Sequence, residues 1–217
     1  MVGYDLDLLE LMLRAKIPMT LVGDHRQATL RTSNSRKNKG KSGILVVKTF
    51  ADWQKSKLCS VSYETQTYRC QQSIVDLADT LFLDEPATIS KNEVRTGHDG
   101  IFWLPSSEVD AYMSRYNPQV LRFSVLTDCM GYGAMNYGEA KGMSFDRVLI
   151  FPHKRAEQWL MSGDISHVTA SAAKLYVGIT RARHSVTFVC NHTVLVKGAQ
   201  RANLSSTNVG NAEKLPQ

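Results

Sequence analysis

Residues 101–123, IFWLPSSEVDAYMSRYNPQVLRF, decide the fold. The apolar run 101–104 is strand-like, Ser106 or Ser107 can cap a helix over 107–116, and the apolar run returns at 119–123. This is a strand, helix, strand unit. Working outward, a glycine-rich stretch with Gly131, Gly133, Gly138 and Gly142 leads into a strand at 148–151. A short helix at 157–161, a helix ending near Tyr176 and a strand at 186–189 follow. Upstream, Ile74, Leu77, Ala78 and Leu81 fall on one face of a helix over 71–81. Leu6, Leu9 and Leu13 do the same over 5–14, with carboxylates in the first turn. Short apolar runs at 19–22, 44–47 and 58–63 read as further strands, and the polar tail 199–217 as frayed. Alternating strands and helices predict an α/β fold, a mainly parallel sheet covered by helices on both faces.

The composition sets outer limits on function. Of 217 residues, 43% are hydrophobic, enough for one good core and a small appendage, and the net charge of +6 favours polyanionic partners. Cys59, Cys70, Cys129 and Cys190 have no metal-ligand spacing and suggest no disulfide framework, so no metal site is expected and a reducing cytoplasm fits. No apolar run approaches a membrane span, and the opening MVGYDLDLLEL carries carboxylates where a signal peptide needs basic residues. The expectation is a cytoplasmic protein that does not engage a membrane.

Two stretches carry the chemistry. In 21–27, LVGDHRQ, an apolar run delivers a turn at Gly23 and Asp24 and then the amide of Gln27, as at the strand ends where open α/β sheets bind ligands. In 175–183, LYVGITRAR, Arg181 and Arg183 precede a strand, where a fixed guanidinium can meet a phosphate bidentately. Between the first stretch and the next element, the loop 29–42 is polar and basic. It is either a solvated surface loop or a phosphate-backbone contact through Arg36, Lys37 and Lys39.

Four segments together resemble superfamily 1 DNA helicases of the UvrD/Rep type. LVGDHRQAT (21–29) is similar to motif III, ETQTYRCQQSI (64–74) to motif IV, NYGEAKGMSFDRVLIF (136–151) to motif V and LYVGITRARH (175–184) to motif VI. The resemblance implies RecA-like domains, with residues 1–60 as a remnant of the first, 61–198 as the second and 199–217 as a flexible tail. It also implies roles. Gln27 senses the γ-phosphate, Tyr68 stacks near the base, and Arg69 and Arg181 neutralise the transferring phosphoryl group, Arg181 as the arginine finger. Gly23 and Asp24 shape the nucleotide turn, Gly142 lets backbone amides approach an anion, and Lys141 joins the basic loop in touching nucleic acid.

The departures matter as much. The family's phosphate-cradling loop and its Mg²⁺-binding acidic pair do not occur in these 217 residues, 29–35 offers no aromatic to stack on a base, and Ser144 stands near where the family has a carboxylate. The leading expectation is therefore the C-terminal part of an ATP-dependent 3′ to 5′ helicase acting on single-stranded or partly duplex DNA. It would use ATP with Mg²⁺ only together with an N-terminal half, or a partner protein, that supplies those motifs, and would be inactive alone. A non-catalytic nucleic-acid-binding or regulatory module is the alternative, and an α/β enzyme of unrelated chemistry a more distant third.

Overall fold

The computed structural model describes residues 3–29, 38 and 41–204. In chain order these hold α1 (Gly3–Arg14), α2 (Ile44–Lys55), β1 (Gln66–Thr67), α3 (Gln72–Asp79), β2 (Ile89–Ser90), β3 (Gly100–Leu104) and α4 (Val109–Tyr116). They continue with β4 (Gln119–Arg122), β5 (Met135–Asn136), β6 (Phe145–Phe151), α5 (Lys154–Ser162), α6 (Ala172–Ile179), β7 (Ala182–Val189) and β8 (Ala199–Arg201). Among the described residues, six strands form one parallel sheet in the order β5-β4-β6-β7-β3-β8, and β1 pairs with β2 in a small parallel ladder. This is the mainly parallel α/β architecture expected from the alternation, of the RecA-like kind.

Strand periodicity builds both faces of the sheet. Along β6, Val148 and Ile150 face the core under α3, α5 and α6, while Leu149 and Phe151 face the core under α4. β4 divides the same way, with Leu121 on the first face and Val120 on the second, as does β3, with Ile101 against Phe102 and Leu104. Trp159 of α5 and Leu175 and Ile179 of α6 close the first face. Residues so buried contribute about 1.5–3 kcal/mol each. Asn117, in the left-handed region at φ 43°, ends α4 and turns the chain into β4.

Four sequence expectations are corrected. Residues 19–22 form no strand, and Leu21 and Val22 are exposed, Val22 by 94%, because no sheet edge among the described residues lies beside them. Residues 44–47 open helix α2, since Val46, Thr49 and Trp53 continue their apolar spacing at helical rather than strand period. Residues 58–63 are irregular, and Leu58 and Cys59 instead pack on a separate small core of Leu6, Leu9, Val46 and Trp53. The tail reading started too early, for 199–201 is edge strand β8, held in register on Ile101, Phe102 and Trp103. No helix among the described residues is long and apolar enough to cross a membrane.

A polar chain lies inside the α4 side of the sheet. His98 is stacked between Phe102 and Tyr116, at 4.0 and 3.9 Å between ring centres, and its Nε2 lies 2.8 Å from Tyr112 Oη, which in turn lies 2.7 Å from Thr187 Oγ1. Burial, reinforced by the charge of Arg147, pulls His98 from 6.5 down to about 4. The unfolded histidine takes a proton near 6.5 and the folded one only near 4. The stability gained by keeping it neutral is therefore present above that window and lost as pH falls through it. Urea unfolding should show a loss on the order of 3 kcal/mol between pH 7 and 4 from this group, and His98→Phe, which keeps the stacking, should flatten the profile there.

Candidate functional site

The expected phosphate-reading residues meet at the junction between α6 and β7. α6 ends at Ile179, Thr180 forms its cap, and Arg181 stands immediately before β7, so its guanidinium turns back over the last turn of the helix. There its Nε donates to Val177 O at 3.2 Å, Nη1 to Met143 O at 3.1 Å, and Nη2 to Gln27 Oε1 at 3.3 Å and Thr180 Oγ1 at 3.4 Å. The carbonyls at a helix C-terminus lack partners of their own and carry partial negative charge, so a cation belongs there. Arg181 is 1% exposed. Burial, with the neighbouring charge of Arg69, pushes it down to about 10, which still leaves it charged at neutral pH.

Gln27 reaches this point on a short 3-10 turn, His25–Gln27, whose N-cap is Asp24. The Asp24 carboxylate accepts from Arg26 N at 3.0 Å and Arg26 Nε at 3.1 Å, and from Gln27 Nε2 at 3.0 Å. Gln27 is thus oriented with its nitrogen on Asp24 and its oxygen on Arg181. Lys141 Nζ donates to Gln27 O at 2.9 Å, fixing the same turn from the other side. Arg69 follows β1 directly and donates through Nη1 to Thr180 O at 3.3 Å, so both arginines hold atoms of one residue. Cys70, beside it, donates its thiol to the same carbonyl at 3.3 Å, and burial raises it to about 11 against the pull of Arg69 and Arg181.

A cleft of about 640 Å³ opens in front of this junction, lined by Gly23, Asp24, Gln27, Tyr68, Arg69 and Thr180 among others. Tyr68 is 78% exposed, its ring free to receive a planar partner. Of the residues singled out by sequence, Gly23, Asp24, Gln27, Tyr68 and Arg69 share this wall. Arg181 sits behind it, sealed by Gln27, rather than open to solvent as the motif reading expects. The ligand-facing edge is also displaced from the expected one, since Arg181 lies at the N-terminal end of β7 and Gln27 arrives on a segment that is not a strand. Gly142 adopts φ 90° in the turn before β6, a conformation that favours glycine and brings the Met143 carbonyl onto Arg181. Arg183 points away and pairs with Asp146 at 2.9 Å. Arg36, Lys37 and Lys39 lie outside the described residues.

Sequence reading missed Arg26. Its guanidinium contacts Asp79 Oδ1 at 3.2 Å and Thr88 Oγ1 at 3.1 Å, and lies 4.9 Å from the centre of the Tyr176 ring. Burial opposes this charge, but Tyr176, Asp24 and Asp79 outweigh it and hold Arg26 above its ordinary value. It also missed the contact between Tyr137 and Gly178. A Cβ on Gly178 would stand 2.6 Å from Tyr137 Cδ1, so only glycine lets the motif V tyrosine lie against α6 one turn before Arg181. Gly178 and Tyr137 lie 41 residues apart by their numbering, and no local pattern joins them.

No family model matches the chain, and no curated protein does. Among solved structures it is similar to the PRRSV helicase, at 17% identity and a TM-score of 0.48 over 89% of this chain and 35% of that one. It is similar to the arterivirus nonstructural protein 10 helicase solved in complex with DNA, at 10% identity and a TM-score of 0.38 over 58% of this chain and 25% of that one. A third likeness is the C-terminal domain of a possible DNA helicase from Lactobacillus plantarum WCFS1, at 15% identity and a TM-score of 0.36 over 59% of this chain and 89% of that one. The chain spans about a third of the length of the PRRSV helicase.

The two cleft arginines differ in what they hold. Arg181→Ala strips donors from buried acceptors on three segments and should lower the unfolding free energy by about 3 kcal/mol. Arg69→Ala removes one bond at a half-buried position and should lower it by less than about 1 kcal/mol. Urea denaturation of the two variants measures the contrast, and equal losses would contradict the described geometry.

Proposed function

We propose that this chain forms the second lobe of the nucleotide cleft of an ATP-dependent superfamily 1 helicase of the UvrD/Rep type, together with the motif III turn of the first lobe. The observation that carries the reading is the convergence of Gln27, Arg69 and Arg181, from three segments distant in sequence, on the α6–β7 junction beside a polar cleft. The donor set fits a nucleotide. Arg69 offers a guanidinium to phosphate, Tyr68 an exposed ring to the base, and Arg181 a charge close behind, able to meet a terminal phosphate once Gln27 Oε1 leaves it. Among the described residues no group of three His, Cys, Asp or Glu could hold a metal ion. Mg²⁺ would supply charge neutralisation on the phosphates, held by the acidic motif of a complementary half. In this reading that half also brings the phosphate loop, and closure of the two lobes on ATP drives 3′ to 5′ stepping along single-stranded DNA.

The alternative, a regulatory or nucleic-acid-binding module without turnover, draws on one specific observation. Every nitrogen of the Arg181 guanidinium is already bonded within the chain, and the side chain is buried. An arginine so satisfied holds the fold before it serves a ligand.

Binding and hydrolysis separate the readings. The purified chain should bind a fluorescent ATP analogue weakly and hydrolyse ATP negligibly, with or without single-stranded DNA. Arg69→Ala should weaken binding about tenfold, the value of one charge-assisted hydrogen bond. Undetectable binding would favour the regulatory module. Robust turnover that Arg181→Ala abolishes would overturn the expectation of an incomplete site.

A further inference from the structure

The opposite edge of the sheet carries a cluster that the cleft does not use. β4 and β6 are neighbours, but the chain leaves β4 outward to β5 and leaves β6 the other way, through α5 and α6, to β7. Such a divergence opens a crevice outside the C-terminal ends of the two strands, where parallel sheets take their ligands. Phe123, at the exit of β4, stacks on His153, at the exit of β6, with ring centres 4.3 Å apart. Lys174, at the start of α6, places Nζ 4.5 Å from the centre of the same Phe123 ring. Burial and the charges of Arg155 and Lys174 all pull His153 below its ordinary value, so the three basic side chains share one local field. His153 Nδ1 is buried without a hydrogen-bond partner.

The charge here is uncompensated. Among the described residues neither Arg155 nor Lys174 has a carboxylate partner, nor does the adjacent Lys154. Isolated cations held together against an aromatic ring call for an anion. Val125 and Leu126 follow Phe123 and are exposed by 67% and 91%. Apolar side chains beside a cationic cluster suit a ligand that alternates phosphates with flat, unpaired bases. A duplex keeps its base faces stacked inside, and an acidic peptide has none to offer.

We propose that the C-terminal ends of β4 and β6 form a single-stranded nucleic-acid contact, in which Lys174, Arg155 and His153 take backbone phosphates while Val125 and Leu126 receive unstacked bases. This contact is separate from the nucleotide cleft and from the basic loop 29–42. It needs neither to act.

The test is fluorescence anisotropy with a labelled 20-nucleotide oligo-dT and the full chain, without nucleotide, titrated between 50 and 200 mM salt. The double variant Lys174→Gln with Arg155→Gln should bind about tenfold more weakly at 50 mM salt. Its logarithmic salt slope should be shallower by roughly 1.4, since each phosphate no longer neutralised takes away about 0.7. Arg155→Gln alone, at an exposed position, should remove about half of that slope change without touching the packing on Phe123, and Lys174→Arg should bind as the parent does. Leu126→Asp should weaken binding further. Thermal melts of each variant keep folding separate from binding. Three outcomes would overturn the proposal: no binding by the parent chain at 50 mM salt, a slope unchanged in the double variant, or displacement of the oligonucleotide by poly-glutamate as readily as by unlabelled oligo-dT. Because titration with the ATP analogue reports on the cleft alone, failure at this edge and failure of the nucleotide reading are separate results.

Discussion

A guanidinium taken out of water must find acceptors within the protein, and for Arg181 that requirement organises the site. Its planar fork cannot be satisfied by one neighbour, so it gathers Val177 O and Thr180 Oγ1 from the end of α6, Met143 O from the turn before β6, and Gln27 Oε1 from the N-terminal segment. Each partner has its own local cause. The Val177 carbonyl is free because its helix ends, and the Met143 carbonyl is presented because Gly142 takes a positive φ. Phe145 N then donates to Arg181 O at 2.9 Å, which starts the β6–β7 ladder from the same residue. Losing the charge would leave the helix end, the turn and the N-terminal segment without their common point.

Arg26 does for the N-terminal segment what Arg181 does for the sheet edge. Asp79 accepts from the backbone of Thr88 at 2.5 Å and from Thr88 Oγ1 at 3.0 Å as well as from Arg26, so its carboxylate ties α3, the approach to β2 and the Asp24 turn together. Asp24 in turn divides its two oxygens between Arg26 and Gln27. The result is an unbroken polar path, Asp79 to Arg26 to Asp24 to Gln27 to Arg181. Its direction fixes which end of the Gln27 amide meets the arginine, because a carboxylate can only accept and a guanidinium can only donate. Flipping the amide would face nitrogen to nitrogen and oxygen to oxygen.

What the sequence reveals follows from how local each constraint is. β3, β4, β6 and β7 are legible because their apolar runs are bounded by turns and are long enough for period two to assign both faces. The runs at 19–22 and 44–47 are four residues each, too short to separate a strand from one turn of helix, and only the continuation to Trp53 reveals α2. β8 is hidden because it is polar. It is held from outside, by register on β3, by the Arg201 ion pair with Glu108 and by Arg201 over the Trp103 ring at 5.9 Å. In the site, the meeting of Gln27, Arg69 and Arg181 is legible from the order of the four motif-like segments. The Arg26 contacts with Asp79 and Thr88 span 53 and 62 residues and leave no spacing to read.

One element reaches both edges of the sheet. α6 begins with Ala172, beside the Lys174 that lies over Phe123, and ends one cap residue before Arg181. Eight helical residues span about 12 Å and resist compression along their hydrogen-bonded axis, so the two cations keep a fixed separation. Sideways movement is restricted too, because the Tyr137 ring fills the space that a side chain on Gly178 would need. A glycine in mid-helix costs about 1 kcal/mol relative to alanine, and here that cost secures a contact no larger residue allows. The same glycine that weakens α6 as a helix therefore seats it against the β5 end of the sheet, and the position of Arg181 at the cleft is set by a tyrosine that never touches it.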